Sequence, residues 1–229
     1  MKEEMFIKLS WLIYKKGMLK NIPLLTSENP KKVYKKAGRL YKQELQQLDE
    51  YGTGDVLKTN LTYGVMIYSL YASCEEKPGV NELSQFCRNV VLTSKLASNL
   101  LASVDMTSEK RIKYQKEVAK KSRNATHPYT WQYEIMEAGD KRFTAEFRRC
   151  GIYDYFKAKG HPELTPAMCM MDYAYCEVQK HIFLRKETLA TGGRVCDCTY
   201  ISKDIASKEE WQEYENDRQN EAARGGISL

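Results

Sequence analysis

No apolar run in this chain approaches the roughly 20 residues that span a bilayer, which argues against a membrane-embedded role. The apolar N-terminal residues Met5, Phe6, Leu9, Leu12 and Ile13 are interrupted by Lys8, and no small-residue cleavage site follows them. They read as one face of a short helix that Gly17 would end, and a signal peptide is not expected. Also missing are a glycine-rich phosphate loop, a dinucleotide fingerprint, a Cys-x-x-Cys pair and a His-x-x-x-His pair. Those absences remove the simplest nucleotide-binding and zinc-binding readings. There is no internal repeat and no low-complexity segment.

An excess of one charge is lacking too. Against 30 acidic residues stand 36 Lys and Arg, a net of +6, too mild to mark a nucleic-acid protein. The basic run from Lys31 to Lys42, with Tyr34 and Tyr41 interleaved, places its lysines mostly on the solvent side of an amphipathic helix. Nucleic acid and membrane are therefore not expected partners.

Present instead is an ordinary globular composition, 42% hydrophobic over 229 residues, enough for a sizeable core. The 7 cysteines are odd in number and scattered, which suits a reducing, cytoplasmic compartment better than a disulfide framework.

Periodicity predicts helices first. Asn29-Pro30 starts one that carries Val33, Ala37, Leu40 and Tyr41 until Gly52 stops it. Asp55 caps a second, with Leu57, Leu61, Val65, Tyr68 and Tyr71. Asn81 caps a third running inward-facing from Leu83 to Leu101, and Ser108 starts a basic one that fades near Asn124. Strand alternation then appears at Trp131, Tyr133 and Ile135 and again at Phe143, Ala145 and Phe147. A three-residue loop, Ala138-Gly139-Asp140, would pair Ile135 with Phe143 and Trp131 with Phe147.

A second hairpin is predicted from Ile182–Glu187 and Arg194–Ile201, turning through Thr191-Gly192-Gly193. Short helices fall between the hairpins, around Ile152–Lys159 and after Thr165-Pro166. Ser207 and Glu210 have capping-box spacing before a polar helix with Trp211 and Tyr214, and Gly225-Gly226 reads as a loose tail. The expected fold is α+β: a bundle-like helical part (1–125), an α+β part (126–205) with two hairpins in a small antiparallel sheet, and a polar helix with tail (206–229), integrated in one domain.

The helix after Thr165-Pro166 is the most informative element. At 100° per residue, Ala167, Met171, Ala174 and Val178 form an apolar ridge, and Cys169, Asp172, Tyr173 and Cys176 gather opposite. Asp is a poor mid-helix residue, so Asp172 needs solvent or a task. A Cys169 in the first turn would gain thiolate character from the helix dipole, one turn from a carboxylate. The alternative is plain: a solvated Asp172 and two cysteines that serve as small core residues.

Beyond spacing, a set of ordered elements carries a resemblance. They are Cys150-Gly-Ile-Tyr153, Gly160-His161-Pro162-Glu163-Leu164-Thr-Pro166, Cys169-Met-Met-Asp172-Tyr173, Arg185-Lys-Glu-Thr188-Leu189-Ala190, Gly192-Gly193 and Cys196-Asp197. Together they resemble the signature of the L-2-amino-thiazoline-4-carboxylic acid hydrolase family. Cys198 departs from it, standing where an aromatic residue, usually Phe, is expected. The family is named for opening a 2-aminothiazoline ring to a carbamoyl-cysteine.

The resemblance implies a hydrolase acting on a C–N or C–S bond of a small cyclic amidine, without metal or cofactor. In it Cys169, Asp172 and Cys150 are catalytic candidates, Cys169 as nucleophile or helper of water and Asp172 as proton shuttle. Tyr153, His161, Glu163, Arg185, Cys196 and Asp197 are substrate-binding candidates, with Arg185 facing a substrate carboxylate. Each has a structural alternative: core packing for Cys150, a solvated loop for His161, helix capping for Glu163. Strand alternation turns Asp197 opposite to Cys196 and Cys198, so one or the other faces the pocket. Two further functional readings stay open, a non-catalytic small-molecule binder and a biosynthetic enzyme acting on a related amidine or thioamide. A homodimer through the tyrosines Tyr63, Tyr68 and Tyr71 is also compatible.

Overall fold

The computed structural model describes residues 9–48 and 57–229. Helix α1 spans Lys15–Asn21, α2 Pro30–Gln47, α3 Lys58–Ser73, α4 Val80–Thr93, α5 Lys95–Ala102 and α6 Glu109–Ser122. Asn29 caps α2 through its side chain, which accepts from the N–H groups of Lys31 and Lys32, and Pro30 occupies the first turn. The expected stop at Gly52 and cap at Asp55 lie outside the described residues.

Three helical expectations need correction. Gly17 sits inside α1 instead of ending a helix, because the chain crosses α4 closely there. A Cβ on Gly17 would fall 2.2 Å from Ser94 Oγ and 3.0 Å from the Val90 carbonyl oxygen. The helix expected to reach Leu101 breaks at Ser94 into α4 and α5. Asn81 does not cap α4 with its side chain; its Oδ1 accepts from the N–H of Ser228.

Strands β1 (Gln132–Gly139), β2 (Arg142–Arg149), β3 (His181–Leu184) and β4 (Cys196–Ser202) form one antiparallel sheet in the order β1-β2-β4-β3. The first hairpin turns through two residues, Asp140-Lys141, with Lys141 at φ 52. Its pairs are Tyr133 with Phe147 and Ile135 with Ala145, not the pairs expected from a three-residue loop. An irregularity between Ile135 and Glu137 supplies the extra residue, so a short turn and a consistent apolar face coexist.

Helices α7 (Gly151–Ala158), α8 (Thr165–Cys169) and α9 (Met171–Val178) lie between the two antiparallel pairs in sequence, and α10 (Lys208–Arg224) closes the chain. The chain is therefore α+β, helices packed on a small antiparallel sheet. The largest core cluster joins Val33, Leu61, Leu70 and Phe86 of the helical part to Trp131, Tyr155 and Met168. Of the tyrosines of α3, Tyr63 lies on a cavity, Tyr68 is half-buried and edge-on to Tyr155, and Tyr71 is buried.

The capping box of α10 is present, Ser207 and Glu210 bonding reciprocally. The tail is not loose. Gly226 at φ 69 ends α10 with the Ile227 N–H on the Ala222 carbonyl, and Ile227 is buried. No helix among the described residues is long and apolar enough to cross a membrane.

Candidate active site

Between one face of the sheet and the helices lies a cavity of about 510 Å³. Strand alternation builds its floor. Cys196, Cys198 and Tyr200 of β4 line it, together with His181 of β3, Phe147 of β2 and Arg185 just past β3. Asp197 points away; its Oδ1 accepts from the N–H groups of Lys186 at 3.1 Å and Glu187 at 2.8 Å. Of the two alternatives, the cysteine pair faces the cavity and Asp197 pins the loop between β3 and β4.

Helices α8 and α9 present Thr165, Met168, Cys169, Asp172 and Tyr175 to the same space, and Gln179 follows at the end of α9. Tyr173 and Cys176, grouped with Cys169 and Asp172 on the helical wheel, instead pack in a second core with Phe183 and Tyr214. The Tyr173 hydroxyl donates to Glu221 of α10 and draws that face outward from the cavity. Nor is Cys169 in a first turn. It ends the five-residue α8, and its carbonyl accepts from Arg185 Nη2 at 2.9 Å, so it does not sit at the N-terminus of that helix.

Arg185 organises the site. Its side chain is 4% accessible and that of Glu221 is 1%. Arg185 Nε and Nη2 donate to the two Glu221 oxygens at 2.9 and 2.5 Å, and Nη1 donates to Asp172 Oδ2 at 2.7 Å. The second Asp172 oxygen has no protein partner among the described residues. The Asp172 side chain is 35% accessible, and it lines the cavity, so that oxygen meets whatever enters. Burial pushes the Asp172 carboxyl up, and Arg185 opposes the rise. With its donors committed to protein, Arg185 holds Asp172 and is not free to bind a substrate carboxylate.

Four thiols share the cavity: Cys150, Cys169, Cys196 and Cys198. Burial raises all of them, Cys150 to about 12 and Cys169 well above the ordinary value, with Arg185 pulling Cys169, Cys196 and Cys198 partly back. Thr188 Oγ1 lies 3.8 Å from Cys169 Sγ and 3.3 Å from Cys196 Sγ, linking the two. Among the described residues no group of three or more His, Cys, Asp or Glu side chains is arranged to hold a metal ion.

Tyr153, His161 and Glu163 do not line the cavity. His161 Nδ1 is 2.9 Å from Glu163 Oε1, and the ring packs edge-on to Tyr71. Tyr153 lies half-buried beneath Lys157. Conversely, spacing gave no warning of Glu221, whose helix looked polar throughout. The signal was there in Tyr214, Asp217 and Glu221, buried at three- and four-residue spacing, but charge disguised an inward face. His181 and Arg111 were missed for the same reason. Burial lowers His181 to about 4 and keeps it neutral.

Comparison with known proteins adds one match. A family model described as L-2-amino-thiazoline-4-carboxylic acid hydrolase covers residues 59–200, more than half of the chain. No curated protein and no solved structure matches it. The matched segment contains α8, α9 and most of β4, the elements that bring Cys169, Asp172, Cys196 and Cys198 to the cavity. The chain belongs to the L-2-amino-thiazoline-4-carboxylic acid hydrolase family.

Proposed function

We propose that this protein hydrolyses a small cyclic amidine of the 2-aminothiazoline carboxylate type, with Cys169 as nucleophile and Asp172 as proton acceptor. The supporting observation is convergence: a partly accessible thiol and a tethered carboxylate line one cavity. A protonated amidine is a planar cation whose N–H groups suit the open oxygen of Asp172. Its charge also complements a cluster in which one guanidinium faces two carboxylates.

The chemistry follows from the raised proton affinities. Asp172, its proton affinity raised by desolvation, is a stronger base than an ordinary carboxylate and takes the Cys169 proton as sulfur adds to the amidine carbon. The ring C–S bond then breaks, the departing sulfur takes that proton, and an isothiourea remains on Cys169. Water adds to the same carbon, the C–Sγ bond breaks, and Cys169 recovers a proton. The product is the carbamoyl compound, one water is consumed, and the extra proton of the amidinium leaves through Asp172.

A receptor without turnover is the second reading, favoured by the burial that keeps every cavity thiol protonated at rest. Mass spectrometry on a panel of cyclic amidines separates the two. The hydrolase yields a product heavier by one water, and Cys169→Ala and Asp172→Asn each lose at least about 100-fold in turnover while still binding. Binding of amidines without turnover, or full activity in both variants, would refute the proposal.

A further inference from the structure

The cavity is lined by a second arginine, Arg111, for which no carboxylate partner is found among the described residues. Arg111 belongs to α6, and Arg111, Tyr114, Gln115 and Val118 line the cavity at helical spacing from that side. Its Nε is buried without a hydrogen-bond partner, and no carboxylate among the described residues pairs with it. The guanidinium rests 4.9 Å from the centre of the Tyr114 ring, which holds its plane. Only four other buried side-chain polar atoms among the described residues lack a partner: Thr165 Oγ1, His181 Nδ1, Ser73 Oγ and Ser94 Oγ. Thr165 and His181 line this cavity as well. Partnerless donors concentrated on one concave surface mark a place shaped for a polar ligand.

Contrast Arg185, whose five N–H groups are directed at Glu221 twice, Asp172, the Cys169 carbonyl and the Cys198 sulfur. A guanidinium left with open donors and, among the described residues, no paired carboxylate on a concave surface is completed by an anion, and its fork suits a carboxylate. We infer that Arg111 is the carboxylate anchor of the substrate, so that the ligand is a zwitterion: its amidinium at Asp172, its carboxylate at Arg111. This rests on reading the cavity as the substrate site, and it assigns to α6 the role that the family resemblance suggested for Arg185.

Binding separates this inference from the reaction. Calorimetry with wild type and Arg111→Gln would use 2-aminothiazoline-4-carboxylate, its decarboxylated counterpart 2-aminothiazoline, and thiazolidine-4-carboxylate, which keeps the carboxylate and lacks the amidine. Since Arg111 makes no hydrogen bond among the described residues and only stacks on Tyr114, the variant should fold with a melting temperature close to that of the wild type; Arg111→Lys, retaining charge without the fork, serves as a second variant. Both carboxylates should lose about 10- to 100-fold in affinity in Arg111→Gln, and the decarboxylated amidine about twofold or less. Arg111→Lys should fall between. Equal losses for all three ligands, or no preference of the wild type for a carboxylate, would overturn the assignment. Arg111-dependent binding of thiazolidine-4-carboxylate by a protein that turns over no amidine would uphold the anchor and reject the hydrolase.

Discussion

At the scale of single residues, burial governs the chemistry more than sequence position does. Cys169 and Cys150 are the cavity thiols with some accessibility, whereas Cys196 and Cys198 are buried. Desolvation disfavours the thiolate in all four, and the Arg185 charge only partly compensates three of them. A raised thiol proton affinity means that the reactive form appears only as pH rises. Labelling of the free protein by a mild electrophile should therefore be slow at neutral pH and climb in alkaline solution, with Cys169 and Cys150 modified before the rest. Peptide mapping after timed labelling reads the order; rapid modification of Cys169 at neutral pH would show that its thiolate is stabilised by something this arrangement lacks. The same residue-level physics explains why Cys169 looked like a dipole-activated thiol in sequence. Spacing from Pro166 suggested a first turn, but the helix ends at Cys169 after five residues, and no periodicity reports so short a helix.

Among the elements, α10 contributes most that was unexpected. Its Glu221 side chain is 1% accessible and supplies, among the described residues, the only counter-charge that reaches both Nε and Nη2 of Arg185. Asp217 of the same helix accepts from the Arg185 backbone N–H at 3.0 Å, so α10 fixes both the chain and the guanidinium. Removing one member of a buried ion pair strands the other, which costs about 3–5 kcal/mol. Glu221→Ala should lower unfolding free energy by that amount in a denaturant titration. It should also abolish turnover, because Arg185 would no longer hold Asp172. A loss below about 1 kcal/mol would mean that water reaches Arg185 freely. The element-level reading of sequence succeeded where a period was clean, as at the Asn29 cap and the strands around Phe143–Phe147. It failed where a compensating irregularity intervened: the bulge after Ile135, the break at Ser94, and the glycine at 17 that permits a crossing.

On the scale of the whole molecule, the architecture was legible because hydrophobic period switches from helical to alternating near Trp131, and no tertiary contact erases that change. The site was legible in part. Six candidate positions, Cys150, Cys169, Asp172, Arg185, Cys196 and, through its neighbours, Cys198, meet at one cavity, while Tyr153, His161, Glu163 and Asp197 lie elsewhere. What escaped was pairing. Which cation serves the protein and which waits for a ligand depends on contacts between α6, α10 and the sheet, distant in sequence. The central claim is that the cavity delivers the Cys169 sulfur to an amidine carbon. Acid-quenching the protein during reaction with 2-aminothiazoline-4-carboxylate and mapping peptides by mass spectrometry tests it directly. The account predicts an adduct of substrate mass on the Cys169 peptide, absent in Cys169→Ala; ring opening that proceeds at full rate in Cys169→Ala, with no adduct in the wild type, would contradict it.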